Sequence, residues 1–312
     1  MHYFDSLQDL IGHTPLLKLN HVGLPTGVNL FAKLELMNPL GSVKDRTGLY
    51  MVRSAVRSGC LKPHGTIIEA TAGNTGLGIA FAALNQGYRV IFVVPKKFSQ
   101  EKLTLMKALG AEIVLTPREE GMLGAEKRAE QLLKSIPDAI MMRQFHNSSN
   151  PQAHYETTGP EIYADLDGKI DYLVAGAGSG GTFSGIMRYL KEQAPKIKGI
   201  LVDPYGSTMG GREHHDYNIE GIGNDFIADT MRMDLVDEVV KISDDDALFG
   251  VRLLARKEGV IAGTSSGAAL AAALKLIKNG VRGNIVIVLP DRGDRYFSKH
   301  IFDEVSVSSR QE

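Results

Sequence analysis

Short aliphatic runs alternate with stretches of helical spacing over most of this chain. Thr66–Ala70, Arg89–Val94, Ala111–Leu115, Tyr172–Ala175, Gly199–Asp203 and Asn284–Leu289 have the length and continuous apolar character of buried strands. Between them lie patterns of helical period: Leu49, Val52, Ala55 and Val56, closed by Gly59; the small-residue run Leu77–Leu84; and Phe183, Ile186, Met187 and Leu190. This alternation predicts an α/β fold of open, mostly parallel twisted sheets with helices on both faces. Ligands in such folds lie outside the carboxyl ends of the strands. The 312 residues suffice for two such units, although neither is one continuous block of sequence.

Composition narrows the function classes. With 35 basic and 36 acidic residues the net charge is -1, so no global field draws nucleic acid or an anionic membrane. A hydrophobic content of 43% supports substantial cores and excludes a disordered class. No apolar stretch reaches membrane-spanning length and the amino terminus lacks a secretory pattern, which predicts a cytoplasmic protein. The single Cys60 cannot form an internal disulfide and is expected to be a small packed residue. His214-His215 reads as a polar loop and not a metal site, since adjacent histidines do not share a helix face. Asp244-Asp245-Asp246 reads as a helix cap, and Lys96-Lys97 as a solvated turn.

Chemistry concentrates in three segments. Lys44 follows the turn Asn38-Pro39-Leu40-Gly41-Ser42 and opens a helix, where positive charge is disfavoured by the helix dipole; Ser42 is placed to cap that helix. Most lysines are solvated surface residues, but a neutral amine is also what Schiff-base chemistry requires. Thr71-Ala72-Gly73-Asn74-Thr75-Gly76 joins a strand to a helix and offers backbone N–H groups, hydroxyls and an amide to a small carboxylate; an ordinary βα turn has the same residues. Ala175-Gly176-Ala177-Gly178-Ser179-Gly180-Gly181-Thr182 suits a phosphate dianion at a helix start. It also contains G-x-G-x-x-G, with Asp203 where a dinucleotide site places its ribose-binding acid. That nicotinamide reading leaves Lys44 and the Asn74 loop without a role, whereas a cofactor with one phosphate and one aldehyde uses all three.

Together with Gly263-Thr264-Ser265-Ser266-Gly267, Leu10-Ile11-Gly12-His13-Thr14-Pro15 and Leu289-Pro290-Asp291-Arg292-Gly293-Asp294-Arg295-Tyr296, these motifs resemble, in order and over nearly the whole chain, the cysteine synthase and cystathionine β-synthase family. The resemblance implies the tryptophan synthase β-like architecture, PLP fold type II, with pyridoxal 5'-phosphate as cofactor. It implies a smaller mobile domain of residues 1–14 and 38–148, a larger domain of residues 15–37 and 149–312, and a homodimer. Lys44 becomes the catalytic residue, anchoring the cofactor aldehyde and then acting as base. Gly178, Ser179, Gly180, Gly181 and Thr182 take the phosphate, Asn74 the ring oxygen and Ser265 the pyridine nitrogen. Thr71, Ala72, Gly73, Thr75, Gln144 and Gly221 take the amino-acid substrate.

The reaction implied is β-replacement on O-acetylserine or serine through an aminoacrylate. A thiol acceptor then gives cystathionine from homocysteine, or cysteine from sulfide. Ala72 stands where most cysteine synthases have Ser, and with Glu120-Gly121-Met122 and Glu220-Gly221-Ile222-Gly223 it resembles the bacterial O-acetylserine-dependent cystathionine-forming members. Leu40 replaces a small residue before Gly41, and the Asp291–Tyr296 ending is similar to members with an amine nucleophile. Arg212, His214 and His215 are expected to hold the acceptor's distal carboxylate. Alternatives are a cysteine desulfidase or lanthionine synthase, a serine/threonine dehydratase, and a nicotinamide-linked oxidoreductase.

Overall fold

A computed structural model describes residues 3–96, 100–211 and 213–303. In chain order the elements are β1 (Leu16–Lys18), β2 (Val28–Leu34), α1 (Lys44–Arg57), β3 (Thr66–Ala70), α2 (Asn74–Ala83), β4 (Arg89–Pro95), α3 (Gln100–Ala108), β5 (Glu112–Thr116), α4 (Gly121–Ser135), β6 (Ala139–Met141), α5 (Ser149–Ala153), α6 (Gly159–Asp165), β7 (Tyr172–Gly176), α7 (Gly181–Gln193), β8 (Lys198–Pro204), β9 (Glu238–Ile242), α8 (Asp244–Leu253), α9 (Thr264–Lys278) and β10 (Gly283–Leu289). A π-helical turn, His154–Thr158, carries α5 into α6.

The strands form two sheets. One has the order β1-β2-β10-β7-β8-β9 and the other β5-β4-β3-β6. Every pairing is parallel except β1 with β2 at an edge. Parallel strands need covering crossovers, which is why β4 and β8 are buried at every position after the first. The six-stranded sheet packs one face on α8 and α9 through residues such as Leu30, Ile200, Ile285 and Leu270. Its other face meets α7 through Leu173, Leu201, Val286, Phe183 and Met187. The four-stranded sheet is covered by α1, α2 and α3 on one side and by α4 on the other.

Close helix contact brings two of the sequence-predicted segments together. Gly48 of α1 and Gly78 of α2 face each other so closely that a Cβ on either would collide with the opposite backbone, that of Lys44 in the case of Gly78. The turn before α1 is also bridged to the end of β10: Val43 N–H donates to the Pro290 carbonyl at 2.8 Å, and Ser42 pairs with Asp291. Buried Arg46 adds ion pairs to Glu35 (2.8 Å) and Glu161 (2.6 Å), which join α1 to α6. Burial alone would raise the Glu35 carboxyl, but the Arg46 guanidinium holds it below its usual range.

Ser243 caps α8 with Asp246 in a capping box, while Asp244 accepts the Asn218 and Ile219 N–H groups. Cys60 departs from expectation: it is exposed, because it lies past the helix end marked by Gly59 (φ +74°), beyond the reach of the core. Among the described residues no helix is long and apolar enough to cross a membrane, and no group of His, Cys, Asp and Glu has a metal-holding arrangement.

Candidate active site

Lys44 occupies the first turn of α1, as its sequence context predicts. Ser42 Oγ accepts the Lys44 N–H at 3.2 Å, and Asp45 ties down the preceding turn by accepting the Leu40 N–H at 2.7 Å. Among the described residues, Lys44 Nζ has no hydrogen-bond or ion-pair partner. Burial lowers its pKa to about 8, against the opposing pull of the Asp291 carboxylate. The dominant cause is desolvation, whereas the sequence pointed to the helix dipole.

Asp291 was marked from sequence only as the start of the Asp291–Tyr296 ending and was given no role in the site. It is buried, accepts from Asn74 Nδ2 at 2.7 Å and from the Tyr296 hydroxyl, and leaves Oδ1 without a partner. Arg295 donates to Asn74 Oδ1. Burial raises the Asp291 carboxyl, offset in part by its Tyr296 and Asn74 hydrogen bonds.

Lys44, Asn74, Gly178, Ser179, Gly180, Thr182, Gly221, Ser265 and Asp291 line one recess. Its floor is the loop between β7 and α7. Gly180 has φ +81°, a Cβ on Gly178 would lie 2.7 Å from the Gly221 carbonyl, and one on Gly181 would collide with the Asn150 side chain. The loop is braced from behind. Asn224 Nδ2 donates to the Gly178 carbonyl at 2.6 Å, Thr230 to the Ser179 carbonyl, and Gly223 N–H to Ala177 at 2.8 Å. Ser265 stands at the start of α9.

Thr71, Ala72, Gly73, Thr75 and Gln144 lie outside that lining, next to it in chain or space. Thr75 Oγ1 donates to Gln144 Oε1 at 2.6 Å, so these two predicted substrate residues do meet. Thr71 Oγ1 accepts only a long contact from Gly73 N–H, 3.4 Å. Ala72 is buried in the apolar cluster with Leu77 and Met106. Glu69, which no sequence signal marked, secures the Gln144 segment by accepting the N–H groups of Met142, Arg143 and Gln144 at 3.0, 3.0 and 3.3 Å. Burial pushes this carboxyl up to about 7 against those bonds.

Three other expectations resolve differently. Asp203 is buried and ion-paired with Lys241, and it also accepts the Gly210 N–H at 2.9 Å, so it is committed to structure and not presented to a ribose. His215 lines a separate groove with Tyr217, Asp244 and Lys299, and His214 bonds to the Gly206 carbonyl, so neither faces the recess. Arg212 lies outside the described residues. The charges that do stand beside the Gly221 loop are Lys102 of α3, 2.7 Å from Glu220, and Lys299, which pairs with the same carboxylate.

A half-buried amine lining the recess, a glycine cradle with two hydroxyls and a serine at the start of α9 suit a cofactor with an aldehyde, a phosphate and a ring nitrogen. These features on two mostly parallel α/β sheets fit a cofactor-dependent enzyme. The chain belongs to the family described as pyridoxal-phosphate dependent enzyme, which matches residues 7–291, and pyridoxal phosphate is its cofactor. It is 50% identical over 298 residues to the O-acetylserine dependent cystathionine beta-synthase of Bacillus subtilis (strain 168), covering 95% of this chain and 97% of that protein. A cysteine synthase of Helicobacter pylori (strain J99) is 45% identical over 300 residues, covering 95% and 98%. The crystal structure of the O-acetylserine dependent cystathionine beta-synthase from Helicobacter pylori superposes with a TM-score of 0.92 at 44% identity, over 97% of this chain and 100% of that one.

Proposed function

We propose that this chain catalyses β-replacement on O-acetylserine and that its preferred acceptor is homocysteine, giving cystathionine. The observation that carries the reading is the partnerless Lys44 amine, depressed by burial, in the same recess as the Gly178–Thr182 cradle. Similarity to the cystathionine-forming relatives supports the acceptor.

When bound, pyridoxal phosphate supplies an aldehyde for an amino group and an electron sink for the bonds at its α-carbon. The residues that would hold it are Lys44 at the aldehyde, Gly178, Ser179, Gly180, Gly181 and Thr182 at the phosphate, Asn74 at the ring oxygen and Ser265 at the ring nitrogen. Lys44, whose amine pKa burial lowers to about 8, would take the proton from the substrate α-carbon in its neutral form. Ser265 offers a neutral hydroxyl and not a carboxylate, so at the ring nitrogen it would not hold a proton there, which would favour loss of a β-leaving group over competing reactions. Thr71, Ala72, Gly73 and Thr75, with Gln144 and Gly221, receive the amino acid, its carboxylate at the start of α2.

The two sheets support a division into a smaller domain, residues 1–14 and 38–148, and a larger one, residues 15–37 and 149–312. Carboxylate binding would draw the smaller over the recess and exclude water. We place the enzyme in the cytoplasm as a homodimer; exposed Tyr3, Phe4 and Leu7 on the amino-terminal arm support a partner surface. The test is a parallel product assay with O-acetylserine against homocysteine, sulfide and cysteine. Cystathionine should form fastest. Far more efficient cysteine formation from sulfide would make this a cysteine synthase, lanthionine would point to cysteine as acceptor, and keto acid would point to a dehydratase.

A further inference from the structure

Behind the Gly178–Thr182 loop lies a buried pair that the chemistry above does not use. Asn150 and His154 sit one helical turn apart, both fully buried. Asn150 Nδ2 donates to Ser179 Oγ at 2.8 Å and to the Gln144 carbonyl at 3.0 Å. The carbonyl can only accept, which fixes the orientation of the amide. His154 Nε2 lies 3.2 Å from Thr182 Oγ1 and 3.3 Å from Thr47 Oγ1, while its Nδ1 lies 2.9 Å from Thr158 Oγ1. Thr47 is on α1, one turn beyond Lys44, and its hydroxyl is directed at Asn150 Oδ1, 3.4 Å away.

A phosphate dianion only accepts hydrogen bonds, so each loop hydroxyl must keep its single hydrogen for the ligand and take a donor from behind. Asn150 does this for Ser179. Thr182 is served in the same way only if His154 carries its proton on Nε2 and accepts from Thr158 at Nδ1. The Thr47 contact fits the same tautomer: a hydroxyl that donates to Asn150 turns only lone pairs to Nε2–H, which shares its one hydrogen between Thr182 and, as the longer arm of a forked bond, Thr47, 3.2 Å against 3.3 Å. Burial, with the nearby Arg46 and Lys44 charges, holds His154 neutral far below its usual pKa, so one nitrogen remains an acceptor. We infer that His154 is a positioning residue for the cofactor phosphate, its Nε2–H turning the Thr182 hydroxyl hydrogen into the recess.

This rests on the reading of Gly178–Thr182 as the phosphate cradle, and the test separates the two. Apoprotein is titrated with pyridoxal phosphate and with pyridoxal, which shares the aldehyde and ring but lacks the phosphate. His154→Leu should weaken pyridoxal phosphate roughly tenfold, the scale of one misdirected charge-assisted hydrogen bond, and leave pyridoxal unchanged. His154→Gln, which returns an N–H near the place of Nε2, should recover most of that loss. In a Thr182→Val background His154→Leu should add nothing. Thr158→Val, which frees the tautomer without emptying the ring site, should reproduce a smaller, phosphate-specific loss and serves if His154→Leu does not fold. Equal weakening of both ligands, or independent effects of His154 and Thr182, would overturn the proposal. If Thr182→Val itself fails to discriminate the ligands, the phosphate cradle falls, and this inference with it.

Discussion

The molecule has two strand–loop–helix connections of similar design, and they are finished differently. The loop between β7 and α7 is fixed on all sides: its carbonyls are taken by Asn224 and Thr230, and its hydroxyls are met from behind by Asn150 and His154. The loop between β3 and α2 is held through side chains only. Among the described residues the Thr71 hydroxyl makes one long contact, Thr75 donates to Gln144 at 2.6 Å, and the Asn74 side chain is engaged by Asp291 and Arg295 near the end of β10. A braced loop suits a ligand that stays through many turnovers, since its donors are ordered before binding. A loop with exchangeable partners suits one that arrives and leaves in each cycle.

Lys44 stands where the two regions meet, so its removal should have the largest effect. Lys44→Ala is expected to abolish covalent cofactor attachment and essentially all turnover. Borohydride reduction of the wild type followed by peptide mapping should find the adduct on Lys44, and an adduct on another lysine would remove the assignment. Next come the loops themselves. Ser179→Ala or Thr182→Val should weaken cofactor retention by about 1–3 kcal/mol, the cost of one charge-assisted hydrogen bond. Thr71→Ala or Thr75→Ala should leave retention intact and slow the spectral response to O-acetylserine. Reversal of that pattern would mean that the bracing does not report which ligand each loop holds.

Why these loops were legible in the sequence, and their supports were not, follows from distance along the chain. Glycines, hydroxyls and a lysine at helix starts are local signals, and the six aliphatic runs appear as strands within one residue of expectation. By contrast, Asn150 acts on Ser179 across 29 residues, and Asp291 on Asn74 across 217, with no spacing rule to link them. The i, i+4 spacing of Asn150 and His154 carries no signal of its own, because nothing near them in the chain names Ser179 or Thr182 as their partners. Strands β1 and β6 are too short to display a period. In β2 the pattern is masked by Lys33, a buried charge that pairs with Glu161 at 2.9 Å, and in β9 by Glu238 and Lys241.

The amine between the loops offers a pH test that sharpens the comparison. Only neutral Lys44 can attack an aldehyde, so capture of pyridoxal by the apoprotein should rise with pH, level off above about 8, and fall about tenfold per unit below it. Pyridoxal avoids titration of the cofactor phosphate. The Asp291 carboxylate raises the amine pKa, so Asp291→Asn should move the midpoint downward. An unshifted lysine would show no levelling before about pH 10. A midpoint there would mean that the recess admits water and that burial does not set the amine.

The smallest expected effect concerns acceptor choice, at the less constrained loop. Ala72 is 7% exposed and packs in the apolar cluster under α2, yet it neighbours Thr71, whose hydroxyl is weakly engaged. Ala72→Ser introduces one hydroxyl into that loop. A single neutral hydrogen bond is worth about 0.5–1.5 kcal/mol, so the ratio of sulfide to homocysteine turnover should rise by about two- to twelvefold. Thermal stability should change little if the new hydroxyl turns toward the substrate side. If the hydroxyl is forced into the apolar cluster, it is left unsatisfied, and the melting temperature should fall while the acceptor ratio stays fixed. Measuring both quantities on the same variant decides whether this loop discriminates acceptors through its polar groups or only through the packing beneath it, and a fixed ratio with lowered stability would withdraw Ala72 from the specificity argument.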